Sequence, residues 1–250
     1  MNNSVLVLIL ILISSLLIFL SRPKKETFVQ NGSEGMQKGI PSFFINLDKD
    51  VENRKYMESV VKPYLPTLKR IPGILHKVGR EGCRRAHINA QRAGIQSTKP
   101  GEYYIILEDD AKPNVPLSKF SDYIKECQTV GADLILLNVQ NRPDTAVLQE
   151  TSNPRFYKAY GGTGSGLSYM VKHEFGKKLI DHWEQFPNSH IDWVWHDLWP
   201  DNSVYVHRPL LFLMKPGKST TGDVVWRDTD DSACQDFDWE NLNLDNVGYK

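Results

Sequence analysis

The longest apolar run in the chain is its first. Val5 to Leu20 (VLVLILILISSLLIFL) is interrupted only by Ser14 and Ser15. At about 1.5 Å per residue, a helix over it covers about 24 Å of a hydrocarbon core about 30 Å thick. No basic residue precedes Leu6, and LSRPKK after the run offers no small-residue cleavage site, so the segment reads as a membrane anchor rather than a signal peptide. Thr27 to Gly39 is polar and aperiodic, with glycines at Gly32, Gly35 and Gly39, which predicts a linker over residues 27–40. Beyond it the apolar positions fall into short runs separated by polar stretches. Ser42 to Asn46, Glu102 to Leu107, Asp133 to Leu137, Leu167 to Val171, Val204 to His207 and Leu210 to Met214 predict strands. Asp50 stands where it can cap a helix that runs to Pro63, and Arg80 to Ala93 and Glu174 to Trp183 predict two more. Strands alternating with helices predict an α/β domain with a mainly parallel sheet across residues 41–250, its ligands held beyond the carboxyl ends of the strands.

Composition narrows the function classes. Lys+Arg and Asp+Glu are both 30, so the net charge is zero, which argues against a dedicated nucleic-acid binder. At 40% hydrophobic and 24% charged the chain is globular. Cys83, Cys127 and Cys234 are too few for a disulfide scaffold and lack metal-type spacing; one bridge with a free thiol and three reduced thiols both remain open. Arg22, Lys24 and Lys25 (in a basic flank that ends the anchor region at residue 26) favour the cytoplasmic side by local charge, whereas the sequon Asn31-Gly32-Ser33 has meaning only on the lumenal side. The sequence leaves both orientations standing.

Five segments carry candidate chemistry. Ile105-Ile106-Leu107-Glu108-Asp109-Asp110 runs an apolar strand straight into three carboxylates. Alternation along a strand points Glu108 and Asp110 the same way and Asp109 the other. A hard divalent cation, Mg²⁺ or Mn²⁺, would relieve their repulsion and could neutralise a diphosphate leaving group, although an exposed acidic loop has the same sequence. Asn46-Leu47-Asp48 ends the first strand, where Asn46 could bond a base or ribose, and Arg54 could meet a phosphate or Asp48. Cys83 and His87, four apart on a helix, are neighbours; with no third partner visible, a buried thiol beside a hydrogen-bonded imidazole is the better reading than a nucleophile. Gly161 to Gly166 (GGTGSG) precedes a strand and lacks the P-loop Lys, so its glycines suit close backbone approach to a ligand. Further on, Asp192 and Asp197 lie among Trp193, Trp195, His190 and His196, residue types that can stack on a sugar and take a hydroxyl proton, or equally form an amphipathic core helix.

Taken in chain order, these motifs resemble glycosyltransferase family 25, the lipopolysaccharide and procollagen-type sugar transferases, from Phe43 to Asp223. Phe44-Ile45-Asn46-Leu47-Asp48 with Arg54 is similar to the family's opening motif, and Gly82-Cys83 with His87 to its G-C-x-x-S-H helix, with Ala86 in place of the Ser. Leu107-Glu108-Asp109-Asp110 resembles the metal motif, followed here by a short Ala111-Lys112-Pro113 loop. Gly164-Ser165-Gly166 through Val171 and Lys177-Lys178-Leu179 resembles the small-residue strand and K-K-L helix, Ile191-Asp192 the late Asp, and Pro209 to Val224, with Ser219 and Asp223, the closing segment. The resemblance implies a GT-A-like domain and an inverting, divalent-metal-dependent glycosyltransferase using a nucleotide-sugar donor, UDP-linked. It implies Glu108 and Asp110 as metal ligands, with Asn46, Arg54, Asp109 and Gly164 on the donor and Asp192 as catalytic base. The acceptor would be a glycan, lipid-linked or protein acceptor, and the N-terminal helix would make the membrane a further partner. Two rival classes are a membrane-tethered carbohydrate-binding module with a degenerate transferase fold, and a glycosidase using paired carboxylates.

Overall fold

The computed structural model describes residues 39–139, 147–162 and 165–215. The apolar run Val5 to Leu20, its basic flank, the sequon, residues 27–38 of the linker, Thr163, Gly164, Ser219, Asp223, Cys234 and the acidic patch Asp228 to Asp231 lie outside them. Among the described residues no helix is long and apolar enough to cross a membrane.

The described chain begins with β1 (Ser42–Asn46), α1 (Val51–Tyr56, continued by a π-helical turn Met57–Val61), β2 (Leu68–Pro72), α2 (Gly79–Ser97) and β3 (Tyr103–Glu108). It continues through β4 (Ala111–Pro113), α3 (Leu117–Thr129), β5 (Leu134–Leu136), β6 (Val147–Glu150), β7 (Phe156–Gly161) and β8 (Ser168–Lys172). Last come α4 (His173–Gln185), the single turn α5 (Ile191–Val194) with a 3₁₀ extension to Asp201, β9 (Val204–His207) and β10 (Phe212–Met214). Eight strands form one sheet in the order β2-β1-β3-β8-β5-β9-β7-β6, and β4 with β10 makes a separate ribbon.

The sheet is mixed where the sequence led us to expect a mainly parallel one. β1 is parallel to β2 and β3, and β5 to β9, but β8 runs against both β3 and β5, and β7 against β6 and β9. The reversal of β8 positions the site. In a parallel sheet the glycine-rich segment before β8 would sit at the opposite edge from the acidic triplet. Running backwards, β8 starts where β3 ends, and Glu108 N donates to Leu167 O at 2.8 Å.

The strands read as continuous apolar runs because helices cover both faces. Period-two alternation divides each run between two cores. Phe43, Tyr104, Ile106, Leu134, Leu136, Tyr169, Val171, Val204 and Val206 face α2 and α4 through Ile88, Ala90, Phe175, Leu179 and Trp183. Phe44, Ile105, Leu107, Ile135, Met170 and Tyr205 face the π-helical turn and α3 through Met57, Val61, Phe120, Ile124 and Cys127. Each such fully buried large side chain contributes about 1.5–3 kcal/mol of transfer free energy. α2 lies so close to β3 that a Cβ on Gly94 would enter the Tyr104 ring. Asp50 makes no side-chain cap to α1; its carbonyl instead accepts from Arg54 N at 3.1 Å and Asn46 Nδ2 at 2.9 Å.

Candidate active site

Three elements bring carboxylates together at the carboxyl edge of β1 and β3. Glu108 is the last residue of β3. The chain then turns through Asp109 and Asp110 into β4, which β10 grips, and Lys215 N donates to Asp110 O at 2.7 Å. Asp192 enters from the first turn of α5. The thiol of Cys83 on α2 lies within 4.8 Å of a Glu108 carboxylate oxygen; burial raises its pKa, and the charges of Glu108, Asp192 and Asp110 raise it further. Asp109 turns away towards β1 and α1, where Asn46 Nδ2 donates to it at 2.5 Å and Asn53 Nδ2 at 3.4 Å. Asp109 and Glu108 are thus held by different elements, Asp109 by β1 and α1 and Glu108 by α2, with a turn following the end of the strand at Glu108.

Electrostatics single out Asp110. Its carboxyl is pushed up to about 8, first by burial and then by Glu108 and Asp109, with partial relief from its own backbone hydrogen bond and Lys215. Its Oδ1 is buried and accepts no hydrogen bond from the described residues. A buried acceptor left unsatisfied costs about 1–3 kcal/mol, more when charged. Asp109 is also raised, by burial, while its bonds to Asn46 and Asn53 pull the other way. Asp192 is raised by burial and by Glu108, with His190 and His196 opposing.

Glu108 is held from the α2 side. Its Oε1 lies 3.2 Å from His87 Nε2, and His87 Nδ1 lies 2.8 Å from the Tyr169 hydroxyl. That hydroxyl accepts from Gln91 Nε2 at 3.2 Å, and Gln91 Oε1 accepts from the Tyr104 hydroxyl. Gly166 makes the fit possible, since a Cβ there would lie 3.0 Å from Ile191 Cδ1 and 3.1 Å from Glu108 Oε1. The expected hydrogen-bonded His beside the site is present, with partners from β3 and β8 that the helix spacing alone could not reveal.

Other expected residues are placed differently. Asn46 is buried with both amide protons committed, to Asp50 O and Asp109, and its Oδ1 accepts from Arg70 Nε at 2.9 Å. Its expected direct bond to base or ribose gives way to an organising role, since it locks Asp109. Arg54 is not brought to the triplet; its Nε pairs with Glu58 at 3.1 Å on an exposed face. The partner of Asp48 is Arg70, which also donates to Asn46 O at 2.8 Å. Gly164 lies outside the described residues, while Gly166 two positions later lines the site. The indoles separate: Trp195 and Trp199 are core residues, Trp193 is 55% exposed, and Asp197 pairs at 3.2 Å with His182.

Sequence reasoning missed Arg70, Asn53, Tyr169 and Lys215. Arg70 and Asn53 sit in segments with no motif of their own. Lys215, whose Nζ reaches Asn53 Oδ1 at 3.1 Å and lies 4.6 Å from the Tyr56 ring centroid, falls within the closing segment of the family resemblance, which was its one signal.

No protein-family model matches this sequence, and no curated protein matches it. Among solved structures it is similar to mannose-1-phosphate geranyltransferase from Thermus thermophilus, at 9% identity and a TM-score of 0.36 over 66% of this chain. The chain spans 58% of that protein, and a likeness this slight carries no argument about fold or chemistry.

Proposed function

We propose that the chain is a family-25-like glycosyltransferase that moves a sugar from a UDP-linked donor to an acceptor hydroxyl with inversion, in a GT-A-like domain tethered to the membrane by Val5 to Leu20. The observation that carries the reading is the buried carboxyl of Asp110 beside Glu108 at the carboxyl edge of the sheet, whose Oδ1 finds no donor among the described residues. A hard oxygen-donor pair with an orphaned acceptor fits Mn²⁺ or Mg²⁺, and Glu108 and Asp110 would hold it. Bound there, such an ion would stabilise the diphosphate as it leaves.

The remaining steps belong to the side chains. Asp109, braced by Asn46 and Asn53, faces the β1 side, where the donor ribose or sugar would lie. Asp192 takes the acceptor proton while the hydroxyl oxygen bonds to the anomeric carbon and the anomeric carbon–oxygen bond to the diphosphate breaks. Partial desolvation suits it to this task, because a carboxylate of raised pKa is a stronger base.

The test is a screen of nucleotide sugars for hydrolysis by the full chain, with Mn²⁺ and with chelator. The proposal expects turnover of a UDP-sugar that chelator abolishes. Binding without hydrolysis of any donor would support the degenerate binding module, and cleavage of a glycoside without nucleotide or metal would support the glycosidase.

A further inference from the structure

Cys83 and His87 take no part in the transfer proposed above, yet they stand against one of its metal ligands. Four apart on α2, they share a face, and the end of β3 brings Glu108 up to them. The thiol sulfur, an imidazole nitrogen and a carboxylate oxygen all lie within 4.8 Å of one another. We propose that Cys83, His87 and Glu108 bind a thiophilic divalent cation of the zinc type, and that this ion inhibits the transferase by taking Glu108 from the Mn²⁺ site. The inhibitory half rests on the reading in the preceding section; the binding site does not.

The donor set decides the class of ion. Thiolate and imidazole suit Zn²⁺ or Co²⁺, whereas Mg²⁺ and Mn²⁺ prefer all-oxygen sites. Tetrahedral zinc with bonds of about 2.0–2.3 Å sets its ligand atoms about 3.3–3.8 Å apart, so small side-chain adjustments close the site. Three protein ligands leave the fourth position to water. The supporting partner is present as well. Metal-bound imidazoles donate their other N–H to a fixed acceptor, and the Tyr169 hydroxyl lies 2.8 Å from Nδ1. With the imidazole proton on Nδ1, the Nε2 lone pair points to the Glu108 side. On binding, the Cys83 S–H bond breaks, its proton goes to solvent, and a metal–sulfur bond forms. Asp110 and Asp192 add negative charge at the same point, which a dication offsets.

The experiment is Co²⁺ titration of the metal-free full-length chain, followed by absorption. The proposal expects a thiolate-to-cobalt charge-transfer band in the near ultraviolet that saturates at one equivalent and is displaced by Zn²⁺. Cys83→Ser should abolish the band, and His87→Gln should weaken Co²⁺ binding at least about tenfold. Cys127 is buried in the opposite core and Cys234 lies outside the described residues. A band that persists in Cys83→Ser therefore assigns the thiolate elsewhere and overturns the site. Absence of any band in the wild type overturns it too. If either variant loses its native circular dichroism, the other carries the test. In the same samples, Zn²⁺ should raise the Mn²⁺ concentration needed for UDP binding. A normal cobalt band with no such competition would overturn the inhibition while leaving the site in place.

Discussion

Asp110→Asn should stabilise the metal-free protein at alkaline pH and leave it nearly unchanged in acid. The Asp110 carboxyl is pushed from 3.8 to about 8 by burial and by its acidic neighbours. Its folded pKa is raised, so between those values the folded chain holds a proton that the unfolded chain has lost. Stability is then fullest below the unfolded pKa and declines as pH rises towards the folded one. One proton of difference is worth about 1.4 kcal/mol per pH unit. Between about pH 5 and pH 8 this group alone therefore removes about 4 kcal/mol. Asn keeps the shape and does not ionise, so the variant escapes that loss. For a domain of this size 1 kcal/mol moves Tm by about 2–4 °C. In chelator, the advantage of the variant should thus grow by about 8–16 °C from pH 5 to pH 8. Saturating Mn²⁺ should reverse the order, because the ion favours the ionised carboxylate. Thermal melts across pH, in chelator and in Mn²⁺, read both effects. Parallel Tm-against-pH curves for the two proteins in chelator would mean that Asp110 carries no raised pKa in the folded chain.

Asp192→Asn should cut turnover by about 10² to 10⁴ with donor affinity near wild type; full activity, or loss of donor binding instead, would remove its role as base. Gly166→Ala sets a Cβ 3.0 Å from Ile191 Cδ1 and 3.1 Å from Glu108 Oε1. It should cost about 1–3 kcal/mol in urea unfolding and weaken Mn²⁺-dependent nucleotide binding. Glu81, buried and held well below the usual carboxylate range by Arg84, also accepts from Asn188 N at 2.9 Å, and Arg84 donates to Trp183 O at 2.8 Å. Glu81→Gln should cost about 3–5 kcal/mol. Its folded pKa is depressed, so the wild-type advantage over Glu81→Gln should be present above the ordinary carboxylate range and fade as pH falls below it.

The sequence was most legible where a single strand or helix carries the signal. β1 and β3 stand out because strands covered on both faces are apolar throughout, and polar residues follow where they leave the sheet. α3 carries the apolar signal of a helix, Phe120, Ile124 and Cys127 at helical spacing, but no chemistry-bearing motif. β2, Leu-Lys-Arg-Ile-Pro, has too few apolar positions to declare itself, and Arg70 was lost with it. The direction of β8 was not legible. Nothing local distinguishes a parallel from an antiparallel strand buried on both faces, yet that direction brings Gly166 to Glu108. The Cys83–His87 pair was visible on its helix, and its third member was not, because Glu108 joins it only when β3 docks against α2.

In the proposed function, Glu108 and Asp110 form a divalent-cation site that holds a nucleotide diphosphate. Calorimetry of UDP binding to the full chain, with Mn²⁺ and with chelator, tests it most directly when wild type is compared with Asp110→Asn. Chelator should weaken wild-type UDP binding by at least about tenfold, a difference of about 1.4 kcal/mol, and the variant should bind UDP weakly and equally in both conditions. Equal and tight binding of UDP by the wild type in Mn²⁺ and in chelator would contradict it.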